Sequence, residues 1–434
     1  MLRKMLLVLL LITLVAAGGA VSAQDATPIR IGLLVDQSGG LTIYGFEMEF
    51  GFKLGLLYQT GIDPSDYASI DDALADVRIA GRPVEILVRD NASEVDTGVS
   101  QARELIEQQG VEILVGAPSS GVTVGLQQVA QDFGVILMAT PGASAAITST
   151  NFNENTFRVC RNGAQDFLTF GSVAADQFGT DFVMLAADYE FGRSLAQAAE
   201  VSLPNYGVNF VQSTIYAPLE TTDFTQYVQQ VLAAEADVLL PIWAGDGTVT
   251  LFQQLAEFGV LEEMEVATGM NSNDIVAVSD PSTIGQLGWI VYHYAFPETE
   301  INDWLTEHYR EIYDDVPDLF SECSFATAQA LAIALEATEG DTFPDTMIPA
   351  LEGLIFEGPK GNYYIRPSDH QALAPMYVVR VDNLDDPESR FFELVGVAGA
   401  LDIAPPCILP EGLEDRCEMD AEFLETVREL ETAE

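Results

Sequence analysis

Positive charge is scarce in this 434-residue chain: 18 Lys and Arg stand against 67 Asp and Glu, a formal net charge of −49 at pH 7. Such a surface repels nucleic acid and anionic lipid, which argues against both as partners. The acid itself is read first as solvated surface, with a saline habitat or cationic ligands as other uses for it. Histidine is scarcer still. His293, His308 and His370 are the whole set, and none falls in H-E-x-x-H or a comparable spacing, so a histidine-held metal is not expected.

Signatures of group-transfer and hydrolytic chemistry are missing too. Gly358-Pro359-Lys360-Gly361 lacks the G-x-x-x-x-G-K-[ST] spacing of a phosphate loop, and Gly39-Gly40 is no dinucleotide fingerprint. Ser119 and Ser120 have no G-x-S-x-G elbow and no histidine nominated to activate them. Carboxylate pairs such as Asp71-Asp72 and Asp314-Asp315 are ordinary in so acidic a chain. No enzyme and no cofactor are therefore expected.

Long apolar runs are confined to the start. Arg3 and Lys4 precede an apolar stretch from Met5 to Ala17, and small residues lead to Val21-Ser22-Ala23, the pattern of a Sec-type signal peptide over residues 1–23 cut before Gln24. The stretch is short for a span, and no second run of ~20 apolar residues follows. With no cysteine at the cleavage site, a soluble, exported, periplasmic or extracytoplasmic protein without a lipid anchor is expected. Export makes the four cysteines candidates for disulfides. Cys407 and Cys417 are near neighbours and the favoured local bridge, whereas Cys160 and Cys323 pair only if the fold brings them together.

What the chain does have is alternation. Apolar, β-rich runs at Ile29–Val35, Val84–Asp90, Val111–Val115 and Val135–Met138 each precede a polar loop, and helical periodicity follows at Tyr44–Tyr58, Asp96–Gln109 and Val122–Phe133. After Thr156-Phe157-Arg158 the alternation begins again, through Phe182–Ala187, Asn209–Ile215, Val238–Ile242 and Met264–Ala267. Two α/β halves follow, each with a parallel-type sheet covered by helices, and ligands gather at the carboxyl ends of such strands. The most suggestive loop is Val115-Gly116-Ala117-Pro118-Ser119-Ser120-Gly121-Val122-Thr123. A helix N-terminus has free amide N–H groups and partial positive charge, so it seats a carboxylate; the plainer reading is that Ser119 or Ser120 caps its own helix.

The ordered set Ile31-Gly32-Leu33-Leu34, Ser38-Gly39, Tyr44-Gly45, Leu114 to Ser120, Ala139 to Ser144, Thr156-Phe157-Arg158, Asp188 to Gly192 and Phe325 to Ala330 resembles the type I periplasmic binding proteins. The likeness is to the leucine/isoleucine/valine-binding branch that serves ABC importers, and it runs from about Pro28 to Val381. It implies two Rossmann-like lobes joined by a three-crossing hinge, with crossings near Arg158, Tyr292 and Gly358. Lobe I would comprise 28–158 plus 293–357 and lobe II 159–292 plus 358–400, leaving an acidic tail at 401–434.

The resemblance also implies roles. Ser119, Ser120 and Thr123 would hold a ligand α-carboxylate, and Ala139, Thr140 and Ala143 its α-ammonium. Tyr44 and Tyr189 would wall the side-chain pocket, and Asp246 would face the ammonium from lobe II, although between Gly245 and Gly247 it could equally cap a helix. The segment Trp243 to Gly247 departs from the tyrosine- and glutamate-bearing pattern of the branch, and the connection Gln59–Gly81 is longer than usual. The expected protein is a monomeric solute-binding component that takes an amino acid or similar zwitterion to a membrane permease. A sensory receptor module of the same fold and an exported serine hydrolase are the alternatives.

Overall fold

The structure is a computed structural model that describes residues 27–431 except Ala174, so the expected signal peptide lies outside the described residues. A first sheet has the order Arg78–Ile79, Arg82–Asp90, Ile29–Val35, Ile113–Gly116, Ile136–Ala139 and Thr156–Arg158. All pairs are parallel save the short hairpin at its edge. In a second sheet Asn209–Phe210 and Ile215–Ala217 pair with Asp181–Ala187, which is followed by Val238–Ile242 and Glu265–Val266, again in parallel. Thr268–Gly269, Leu287–Ile290, Met376–Val381 and Phe392–Ala398 extend this lobe as a mixed sheet. The central strands Ile113–Gly116 and Ile136–Ala139 are buried throughout, which is why they read as unbroken apolar runs.

Helix Thr42–Gln59 packs along helix Leu319–Ala337 inside the first core. Two glycines on the first helix permit the close approach. A Cβ on Gly51 would lie 2.0 Å from the Ser321 carbonyl oxygen, and one on Gly55 2.3 Å from that of Phe325. The facing helix is rich in buried alanine, and its N-terminus carries a reciprocal cap between Asp318 and Ser321. This contact sets Phe320 against Tyr44 at the mouth of the cleft, with ring centroids 4.9 Å apart.

The connection 59–81 contains a short helix, Ile70–Ala75, capped by Ser69. The third crossing expected near Gly358 falls elsewhere. Gly358-Pro359-Lys360-Gly361 is a tight hairpin turn in which Gly361 takes φ +92°, so Ile355–Gly358 folds back on Gly361–Ile365. Phe356, Tyr363, Ile365, Ala372 and Ala374 join the first core, and the chain passes to the second lobe only between Leu373 and Met376. Residues 358–374 thus pack with lobe I. The acidic tail also folds: its helix Asp420–Glu431 lays Val427, Phe423 and Leu424 over Tyr364 and Leu373.

Both cysteine pairs are bridged, Cys160 to Cys323 and Cys407 to Cys417. The first ties the segment leaving the first sheet to the helix that carries Phe320.

Candidate ligand-binding cleft

A cavity of about 80 Å³ lies between the lobes, at the carboxyl ends of the strands. Pro118, Ala143 and Tyr44 reach it from the first lobe, and Tyr189, Trp243 and Trp289 from the second. The lobes are closed on one another. The Tyr44 hydroxyl accepts from the Gly245 N–H at 3.3 Å, and the Asp246 N–H donates to the Gly40 carbonyl at 2.8 Å. On the opposite rim Ser144 Oγ donates to Glu190 Oε1 at 2.8 Å, and Ser194 Oγ accepts from the Ala145 N–H at 2.9 Å.

The hydroxyl-rich loop serves its own architecture. Ser119 is the N-cap of helix Ser120–Phe133, its oxygen 3.5 Å from the Val122 nitrogen. Ser120 Oγ accepts from the Ser144 N–H at 3.1 Å, so it joins two loops of the same lobe. Thr123 Oγ is bonded to the Ala117 N–H, the Ala117 carbonyl and the Ser119 carbonyl, and is fully buried. Thr140 Oγ lies 3.0 Å from both Ser324 Oγ and Cys160 Sγ. Ala139 closes its strand, and the Ala143 carbonyl accepts from the Gly163 N–H at 2.7 Å across the first crossing.

Of the residues singled out in the sequence, Tyr44, Ala143 and Tyr189 line the cavity, while Ser119, Ser120, Thr123, Ala139 and Thr140 form the shell behind it. Asp246 is not among the residues that line the cavity. Its side chain is exposed, while its backbone N–H bonds the Gly40 carbonyl and its carbonyl accepts from the Trp243 indole.

The lining holds residues that sequence reasoning passed over: Arg161, Asp166, Phe167, Met270 and Phe320 among them. Arg161 Nε donates to Asp166 Oδ1 at 3.3 Å, and the guanidinium carbon sits 5.4 Å from the centre of the Phe320 ring. Burial pushes the Asp166 carboxyl up, a shift opposed by Arg161 and by a hydrogen bond from Trp289. A signal for Arg161 was present: one of few cations, adjacent to a cysteine, at the start of the first crossing. Behind the lining, burial raises Asp36 to about 6 despite the hydrogen bond from Ser93.

The histidines are engaged elsewhere. His370 stacks on Phe157 and meets the Thr156 carbonyl, His308 meets the Trp304 carbonyl, and His293 meets the Ser389 carbonyl. Among the described residues no cluster of His, Cys, Asp or Glu is placed to hold a metal, and no helix is long and apolar enough to cross a membrane.

Residues 28–386 match the family model described as "Periplasmic binding protein". The chain belongs to the periplasmic binding protein family. This periplasmic binding protein is 24% identical over 349 residues to "Leu/Ile/Val-binding protein homolog 1" of Brucella melitensis, covering 79% of this chain and 86% of the relative. Among solved structures it resembles an ABC-type branched-chain amino acid transporter protein of Rhodopseudomonas palustris, with 27% identity, a TM-score of 0.70 and coverage of 88% and 100% of the two chains. A periplasmic binding protein of Burkholderia mallei shares the fold at 20% identity, with a TM-score of 0.78 and coverage of 90% and 98%. The type I periplasmic binding fold, a solute-binding fold of ABC transporters, is therefore that of this chain.

Proposed function

We propose that this periplasmic binding protein captures an amino acid or a related small carboxylate between its lobes and presents the closed form to an ABC permease, with no chemistry on the solute. The observation that carries the reading is the cavity walled by both lobes and sealed by Tyr44–Gly245 on one rim and Ser144–Glu190 on the other. A solute shifts the balance toward closure only by contacts that both lobes make at once. Tyr44, Ala143 and Tyr189 supply such contacts, Ser119 caps the adjoining helix, and Ser120, Thr123 and Thr140 hold the wall in shape.

The names of the relatives support a branched-chain amino acid or a near analogue. A serine hydrolase finds no support, since none of the three histidines lines the cavity. Trp243 and Trp289 line it and report on occupancy directly. Titration of the mature protein with amino acids and small carboxylates, followed by calorimetry and tryptophan fluorescence, should give saturable binding for at least one of them. Silence across the panel in both readouts overturns the reading.

A further inference from the structure

The cavity wall is mainly apolar and aromatic, and among the described residues its only charged ones are Arg161 and Asp166. The Arg161 side chain is 10% exposed and that of Asp166 is 3% exposed. A guanidinium has five N–H donors in a rigid fork, suited to two carboxylates at once on different edges. Asp166 takes the Nε edge, at 3.3 Å, while Nη1 is buried without a hydrogen-bond partner. A donor left in that state is costly unless something else completes it. The Phe320 ring under the guanidinium and the Asp166 carboxylate beside it hold the free edge in place.

We propose that Arg161 is the anion anchor of the cleft, and that the preferred solutes are small carboxylic acids with an aromatic or branched apolar body, for which an α-ammonium group is dispensable. This rests on the cleft being the solute site. Asp166, among the described residues the only acidic one in the lining, is already held by Arg161 and Trp289, and Asp246 is exposed and outside the lining. Asp36 has a buried, unpartnered Oδ1 but does not line the cavity. An ammonium therefore finds no free carboxylate in the lining, whereas a carboxylate finds a guanidinium whose Nη1 has no partner. The apolar wall, including Phe167, Met270 and Trp289, receives the rest of the molecule.

The test compares three probes with one body: 3-phenylpropanoate, L-phenylalanine and 3-phenylpropanamide, with 4-methylpentanoate, L-leucine and 4-methylpentanamide as the aliphatic set. In the wild type, calorimetry should show the des-amino acids binding at least as tightly as the amino acids and at least about 30-fold more tightly than the amides, as loss of a charge-assisted pair implies. Arg161→Gln should abolish the preference for acid over amide. Because that change leaves Asp166 buried without its cation, Arg161→Gln/Asp166→Asn is measured beside it and should show the same collapse. Binding that survives in either folded variant with the acid preference intact overturns the proposal, as does an amino acid binding tenfold more tightly than its des-amino counterpart. Either result leaves the cleft as the solute site. Silence of the wild type toward both sets and the wider panel removes the site and the proposal together.

Discussion

Tyr44, at the start of the first long helix, accepts a hydrogen bond through its hydroxyl from the backbone N–H of Gly245 in the opposite lobe, while its ring stays edge-on to Phe320 within its own lobe. One side chain thus belongs to a lobe by its ring and to the interface by its oxygen. Tyr44→Phe separates the two. Affinity for the best solute should fall about two- to thirteenfold, as expected for loss of a hydrogen bond worth roughly 0.5–1.5 kcal/mol. The melting temperature of the solute-free protein should change little, and unaltered affinity in calorimetry would show that the bond plays no part in closure.

Thr123 makes a different kind of contribution. Its hydroxyl satisfies the N–H and carbonyl of Ala117 in a fully buried turn. Thr123→Val preserves the shape and strands the Ala117 N–H, while the Ala117 carbonyl keeps the Gly142 N–H, so stability should drop by about 1–3 kcal/mol. Urea unfolding measures this. A loss of solute binding without a loss of stability would instead place the hydroxyl on the solute.

Glu47 and Asp318 make stability depend on pH. Burial raises both carboxyls, Asp318 to about 7; the charge of Asp318 pushes Glu47 further up, Asp315 and Asp274 do the same to Asp318, and Asp318 also accepts the N–H of Asn273 from the second lobe. An acid whose folded pKa lies above its unfolded one binds its proton more tightly when folded. Its contribution is therefore most favourable below the unfolded value near 4 and declines as pH rises toward the folded value. Glu47→Gln can still accept from the Phe320 N–H, which Glu47 Oε2 now receives. It should match the wild type at pH 4 and melt at a higher temperature at pH 8; equal melting temperatures at both would contradict the assignment.

The two disulfides should differ in worth. Cys160–Cys323 closes a separation of 163 residues and Cys407–Cys417 one of 10. In the chain-entropy account these correspond to about 5 and about 3 kcal/mol. Removing the first pair with alanine should lower the unfolding free energy more than removing the second. The reverse order would show that the local clasp of the tail, which shares its region with Arg416 bonded to Glu352 and the Ser368 carbonyl, matters more than loop entropy.

Much of the architecture was legible in order and period. The runs Ile29–Val35 and Val238–Ile242 are strands with the boundaries that apolar patterning suggests, and Ser119 caps its helix as its chemistry invites. The hairpin at Gly358–Gly361 was not legible as a return into the first lobe, because a two-residue turn looks the same whichever core receives its strands.

The cleft shows the same division. From the sequence came the loops at the strand ends, the tyrosines and the family likeness, since these depend on neighbours close in the chain. The tertiary structure decided what each polar atom meets: Thr123 and Ser120 turn to backbone, Asp246 lies exposed outside the cavity lining, Cys160 finds Cys323, and Arg161 is left with Nη1 buried and unpartnered beside Asp166. The partner of a buried polar group is set by which distant segments are packed against it, and local pattern carries no record of that.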